Sequence, residues 1–112
     1  MTGADDAEGF IAMAWKDGDA YVEQLSVRQR SMRRGLGRQL LAWGEEWARA
    51  AGARRLILTT YGHVPWNRPW YEKQSWAVLP AGAHGAELRA ALAFQRVHLP
   101  DPSQRVAMAK NL

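Results

Sequence analysis

The sequence predicts a single mixed α/β (α+β) domain, and three observations carry that expectation. Two runs of aromatic and aliphatic residues flank an Asp-Gly turn; a stretch of helical period follows; a short apolar run comes after it. With 112 residues the chain has the length of one compact domain.

Residues 1–9 carry Asp5, Asp6 and Glu8 without an apolar pattern and are expected to be flexible. Phe10 to Trp15 and Ala20 to Val27 read as the arms of a β-hairpin turned by Lys16-Asp17-Gly18-Asp19. On the second arm the period of two puts Tyr21, Glu23, Leu25 and Val27 on one mainly apolar face. Leu36, Leu40, Trp43, Trp47 and Ala51 then recur at helical spacing as a core-facing stripe, with Gly52 as the stop. Arg55 to Thr60, centred on Leu56-Ile57-Leu58, reads as a buried strand, and the strand-helix-strand order favours parallel pairing across a right-handed crossover. Asn67 is placed to cap a short helix running through Trp70 to Gln74. Trp76 to Leu79 is a short strand, Ala86 to His98 a helix stopped by Leu99-Pro100-Asp101-Pro102, and Arg105 to Lys110 a last strand.

Composition excludes several classes. Apolar residues at 47% and charged residues at 23% are the values of a folded globular protein. The sequence has no cysteine, which excludes a disulfide framework, a thiolate metal site and a catalytic thiol. His63, His84 and His98 lack metal-ligand spacing, so no metal is expected. No apolar window approaches the length of a membrane span, and a cytoplasmic location without membrane attachment is expected. The net charge of +4 is concentrated: Arg28, Arg30, Arg33, Arg34 and Arg38 lie in one stretch without an acidic residue, around Gly35-Leu36-Gly37.

That stretch has the chemistry of an anion site. The first N–H groups of a helix lack intrahelical partners, and the helix dipole places partial positive charge there. Glycines open the approach to those groups, and arginines add charge and forked donors. The triphosphatase loop is disfavoured because no Gly-Lys-Ser/Thr ending follows; the dinucleotide fingerprint is disfavoured because Leu40 stands where its third Gly is needed.

Leu25-Ser26-Val27 followed by Arg33-Arg34-Gly35-Leu36-Gly37-Arg38-Gln39-Leu40-Leu41 resembles the acetyl-CoA signature of the GNAT superfamily of N-acetyltransferases. Asn67-Arg68-Pro69-Trp70-Tyr71-Glu72-Lys73-Gln74-Ser75-Trp76 resembles a later segment of that family: Asn, then Tyr-Glu-Lys-x-Gly-Phe. Met32 stands where Arg or Gln is usual and Ser75 where Gly is usual, and the family's first strand and the helices after it have no counterpart before Phe10.

The resemblance implies a mostly antiparallel twisted sheet with helices on both faces, acetyl-CoA as co-substrate, and acetyl transfer to a small-molecule or protein amine. It implies that Leu25, Ser26 and Val27 pair with the pantetheine arm, that backbone groups from Arg33, Arg34, Gly35, Leu36, Gly37 and Arg38 hold the pyrophosphate, and that Asn67 contacts the cofactor. Tyr71 matches the tyrosine that protonates the departing thiolate, with aromatic packing as its alternative. Glu23 is the candidate base, since a carboxylate on an apolar face has a raised pKa suited to that work, and an ordinary ion pair is its alternative. His63 is a second candidate base, while Trp66 and Trp70 are candidates for an acceptor pocket or a homodimer surface. Two other functions compete: a GNAT-like module that binds CoA or a partner without catalysis, and a nucleic-acid-binding domain. The latter is disfavoured because the charge converges on one helix start rather than along a face.

Overall fold

The computed structural model describes residues 2–6, 8–28, 35–62, 67–100 and 105–112. The architecture is mixed α/β with a mostly antiparallel sheet, as the sequence predicts. By its internal contacts the chain divides into two compact units, Met1–Leu56 with Leu112, and Ile57–Asn111.

In the first unit three strands lie in the order β1 (Thr2–Asp6), β2 (Gly9–Lys16) and β3 (Asp19–Val27), each antiparallel to its neighbour. The hairpin forms as expected: Asp17 and Gly18 both adopt positive φ, 55° and 81°, the twist a two-residue turn needs to bring Lys16 opposite Asp19. The strand β1 lies within residues 1–9, where the sequence predicts no element. It has no apolar alternation to announce it and is formed by backbone pairing against β2, from Thr2 opposite Met13 to Asp6 opposite Gly9.

Helix α1 (Leu36–Ala50) packs on β2 and β3. Its buried residues are Leu40, Leu41, Gly44 and Ala48, so the stripe lies beside the one predicted from Trp43 and Trp47. Gly44 decides this. A Cβ added there would stand 3.1 Å from both the Ile11 Cδ1 and the Met13 Sδ, so the bare glycine sets how closely helix and strand approach. Trp43 and Trp47 are half-buried at the flank, and Trp47 meets Trp15 with ring centroids 5.6 Å apart. The helix ends in a Schellman motif: Ala53 N–H donates to Ala48 O and Gly52 N–H to Arg49 O, with Gly52 at φ 85°. Ile11, Met13, Ala20, Tyr21, Val22 and Leu56 complete this core.

In the second unit the strands lie in the order β4 (Arg55–Tyr61), β6 (Arg105–Asn111) and β5 (Ala77–Val78), with β5 antiparallel to β6. Two helices, α2 (Arg68–Lys73) and α3 (Ala86–His98), join them, with a 3-10 turn at Ala81–Ala83. Leu88 and Leu92 are the buried residues of α3 and join Ile57, Leu58, Trp76, Ala107 and Met108 in the core. Arg105 fastens the layers: its Nε and Nη2 donate to Gln95 Oε1 at 3.2 and 2.9 Å, Nη2 donates to Thr59 Oγ1 at 3.0 Å, and its guanidinium lies 4.6 Å from the Tyr61 ring centre. Nothing in the alternation of the last strand singled out this residue.

Candidate functional site

One candidate segment, in the first unit, is the end of β3 and the start of α1. Leu25, Ser26 and Val27 are half-buried on β3, opposite Ile11, Phe10 and Gly9. At the helix start Gly35 occupies the N-cap position at φ 80° and ψ 7°, a left-handed conformation that glycine alone adopts without strain. The first rung of the helix is Gln39 N–H to Gly35 O at 3.0 Å, so the amides of Leu36, Gly37 and Arg38 precede the ladder. The first turn holds no acidic residue, and among the described residues no side chain caps it and nothing lies within 4 Å of where a Gly35 Cβ would stand. This donor set suits a diffuse anion such as a pyrophosphate. Gly35, Leu36 and Gly37 are half-buried and Arg38 is exposed, while Arg33 and Arg34, with Met32, lie outside the described residues.

Glu23 is placed differently from its prediction. Ala12 pairs with Gln24 and Met13 with Val22, so a β-bulge leaves Glu23 as the extra residue of β3. The bulge breaks the period of two: Tyr21 and Val22 are both buried, and Glu23 and Gln24 are both exposed. The apolar face expected for Glu23 is therefore absent, and its side chain is exposed. Alternation was projected through a position where the register shifts, and register depends on the partner strand.

A separate candidate segment is α2, in the second unit. Tyr71 is 9% exposed, and burial pushes its phenol from 10.0 up to about 12, so it stays protonated at neutral pH. Its ring meets Trp70 and Trp76 edge-on, with centroids 5.0 and 5.7 Å away. Asn67 stands at the N-cap position, its carbonyl accepting from Tyr71 N–H at 3.0 Å, but its side chain makes no capping bond. Ser75 adopts φ 73°, the left-handed conformation for which the glycine of the family pattern is suited. Trp76 is 3% exposed, and its indole Nε1 is buried without a hydrogen-bond partner among the described residues, a feature no sequence pattern signals. The candidate base His63 and the pocket candidate Trp66 lie outside the described residues. Among the described residues no group of His, Cys, Asp and Glu is arranged to hold a metal ion, and no helix is long and apolar enough to cross a membrane.

In this mixed α/β fold strand β3 precedes a helix whose glycine-capped, acid-free start presents amides that suit an anion. The sequence model of the acetyltransferase (GNAT) family matches residues 5–76. The chain belongs to the GNAT acetyltransferase family.

Solved structures of similar fold agree. N-acetylglutamate synthase from Neisseria gonorrhoeae, complexed with coenzyme A and N-acetyl-glutamate, superposes with a TM-score of 0.71 at 17% identity, over 94% of this chain and 23% of that one. A putative acyl-CoA N-acyltransferase from Klebsiella pneumoniae gives 0.70 at 24% identity, over 95% of this chain and 64% of that one. The chain thus spans less than two thirds of the length of these two. The anti-CRISPR protein AcrVA5 gives 0.64 at 15% identity, over 96% of this chain and 95% of that one, so a solved chain of similar length carries the same fold.

Proposed function

We propose that the chain is an N-acetyltransferase that moves an acetyl group from acetyl-CoA to the amine of a small molecule or a protein. The observation that carries this reading is the start of α1: a left-handed Gly35, the leading amides of Leu36, Gly37 and Arg38, and a first turn without acid. Arg33 and Arg34 add positive charge to the same turn in sequence. Bound there, acetyl-CoA supplies the thioester. The backbone of Leu25, Ser26 and Val27 pairs with its arm, and Asn67, whose side chain is not spent on a cap, contacts it further along.

In this proposal the neutral amine attacks the thioester carbonyl, the C–N bond forms and the C–S bond breaks. The proton lost by the amine passes to Glu23 directly or through water, a route its exposure permits. The departing sulfur takes a proton from the Tyr71 phenol, which is protonated at neutral pH, and the phenolate is reprotonated from solvent while Glu23 releases its proton there.

The test is isothermal titration of the chain with acetyl-CoA, repeated on the double variant Gly35→Glu and Gly37→Glu. Saturable binding that the variant loses, with its circular dichroism unchanged, supports the site; no binding by the folded wild type overturns it. Acyl transfer to a panel of amines then separates an enzyme from a module that only binds CoA.

A further inference from the structure

Trp76 is 3% exposed, and its indole N–H is buried without a partner among the described residues. Buried donors are nearly always satisfied, because an unmade bond leaves the loss of hydration uncompensated. The residue before it is also costly: Ser75 holds a left-handed φ of 73°. At these two consecutive positions the family pattern has Gly and Phe, which would avoid both penalties. The chain therefore carries two departures side by side that raise the energy of its ligand-free state, and one of them introduces a hydrogen-bond donor.

The pair is held against Tyr71. The backbone N–H of Trp76 donates to the backbone carbonyl of Tyr71 at 3.1 Å, and the two rings meet edge-on with centroids 5.7 Å apart. If Tyr71 serves the sulfur, the arm carries two acceptors near that atom, the thioester oxygen and the nearest amide oxygen. We propose that the indole N–H of Trp76 donates to a carbonyl oxygen of the acyl-pantetheine arm, a bond made only in the complex, with the strained Ser75 as the joint that lets the ring turn to make it. This rests on the acyl-CoA reading given above and adds to it a binding residue that the family pattern does not contain.

The experiment uses the whole chain labelled with 15N at its six tryptophans, whose indole N–H resonances are followed during titration with acetyl-CoA. The Trp76 resonance is assigned by its absence from Trp76→Phe, or by its nuclear Overhauser contact to the Tyr71 ring should that variant not fold. The expected result is a downfield shift and slowed solvent exchange of that resonance at saturation. Trp76→Phe, with its circular dichroism intact, is expected to bind acetyl-CoA roughly three- to tenfold more weakly, the effect of one neutral hydrogen bond. Saturable binding with an unmoved Trp76 resonance, or an unchanged Kd in Trp76→Phe, overturns the inference and leaves the acyl-CoA reading standing. Absence of any saturable binding by the wild type overturns both.

Discussion

Trp76 N–H donates to the carbonyl of Tyr71 at 3.1 Å and Ser75 N–H to that of Glu72 at 3.2 Å, which closes α2 with the same Schellman pattern that closes α1. The two motifs differ in the residue at the left-handed position: Gly52 at φ 85° in α1, Ser75 at φ 73° in α2. A side chain there costs about 1 to 2 kcal/mol, of which the greater freedom of glycine in the unfolded chain offsets about half. Ser75→Gly is therefore expected to stabilise the chain by about 1 kcal/mol and Gly52→Ser to destabilise it by a similar amount, read as shifts of roughly 4 °C in Tm in opposite directions. A lowered Tm for Ser75→Gly would contradict the account.

Burial of Tyr71 makes stability depend on pH in the alkaline range. Its folded pKa of about 12 exceeds the unfolded value of 10.0, so its contribution is complete below pH 10 and is lost as pH rises toward 12. The full loss is on the order of 2 to 3 kcal/mol. The gap in stability between wild type and Tyr71→Phe, measured by urea unfolding from pH 8.5 to 11.5, is expected to shift steadily in favour of the variant above pH 10. A gap independent of pH would show that the phenol is not desolvated.

Gly44 sets the spacing between α1 and β2. A leucine there would drive several heavy atoms into Ile11 and Met13, which already stand 3.1 Å from the position of a Cβ. Overpacking of this kind costs typically about 1 to 3 kcal/mol. Gly44→Leu is expected to lose at least about 2 kcal/mol in urea unfolding, even though leucine is the better helix former.

Arg105 holds Gln95, Thr59 and the Tyr61 ring with one planar group. Lysine keeps the charge but lacks both the fork and the plane that stacks. Arg105→Lys is expected to cost about 1 to 2 kcal/mol in thermal unfolding. A silent substitution would mean that charge alone matters at this position.

The parts of this molecule legible in the sequence are those governed by neighbours along the chain. Asp17-Gly18 turns the hairpin and Gly52 stops α1 because turn and cap conformations depend on a few adjacent residues. The same holds for the glycine start of α1, since its amides are left over by the helix itself, and for the placement of Tyr71 on a short helix. Tertiary structure decided the rest. The strand β1 exists because β2 offers an edge, and Glu23 is exposed because the pairing of β2 with β3 slips by one residue at Ala12 and Met13. The buried stripe of α1 follows Gly44 rather than the tryptophans because close approach of helix and strand rewards the missing side chain. The raised pKa of Tyr71 and the unpaired indole of Trp76 arise from burial, which residues distant in sequence bring about and which no local pattern encodes.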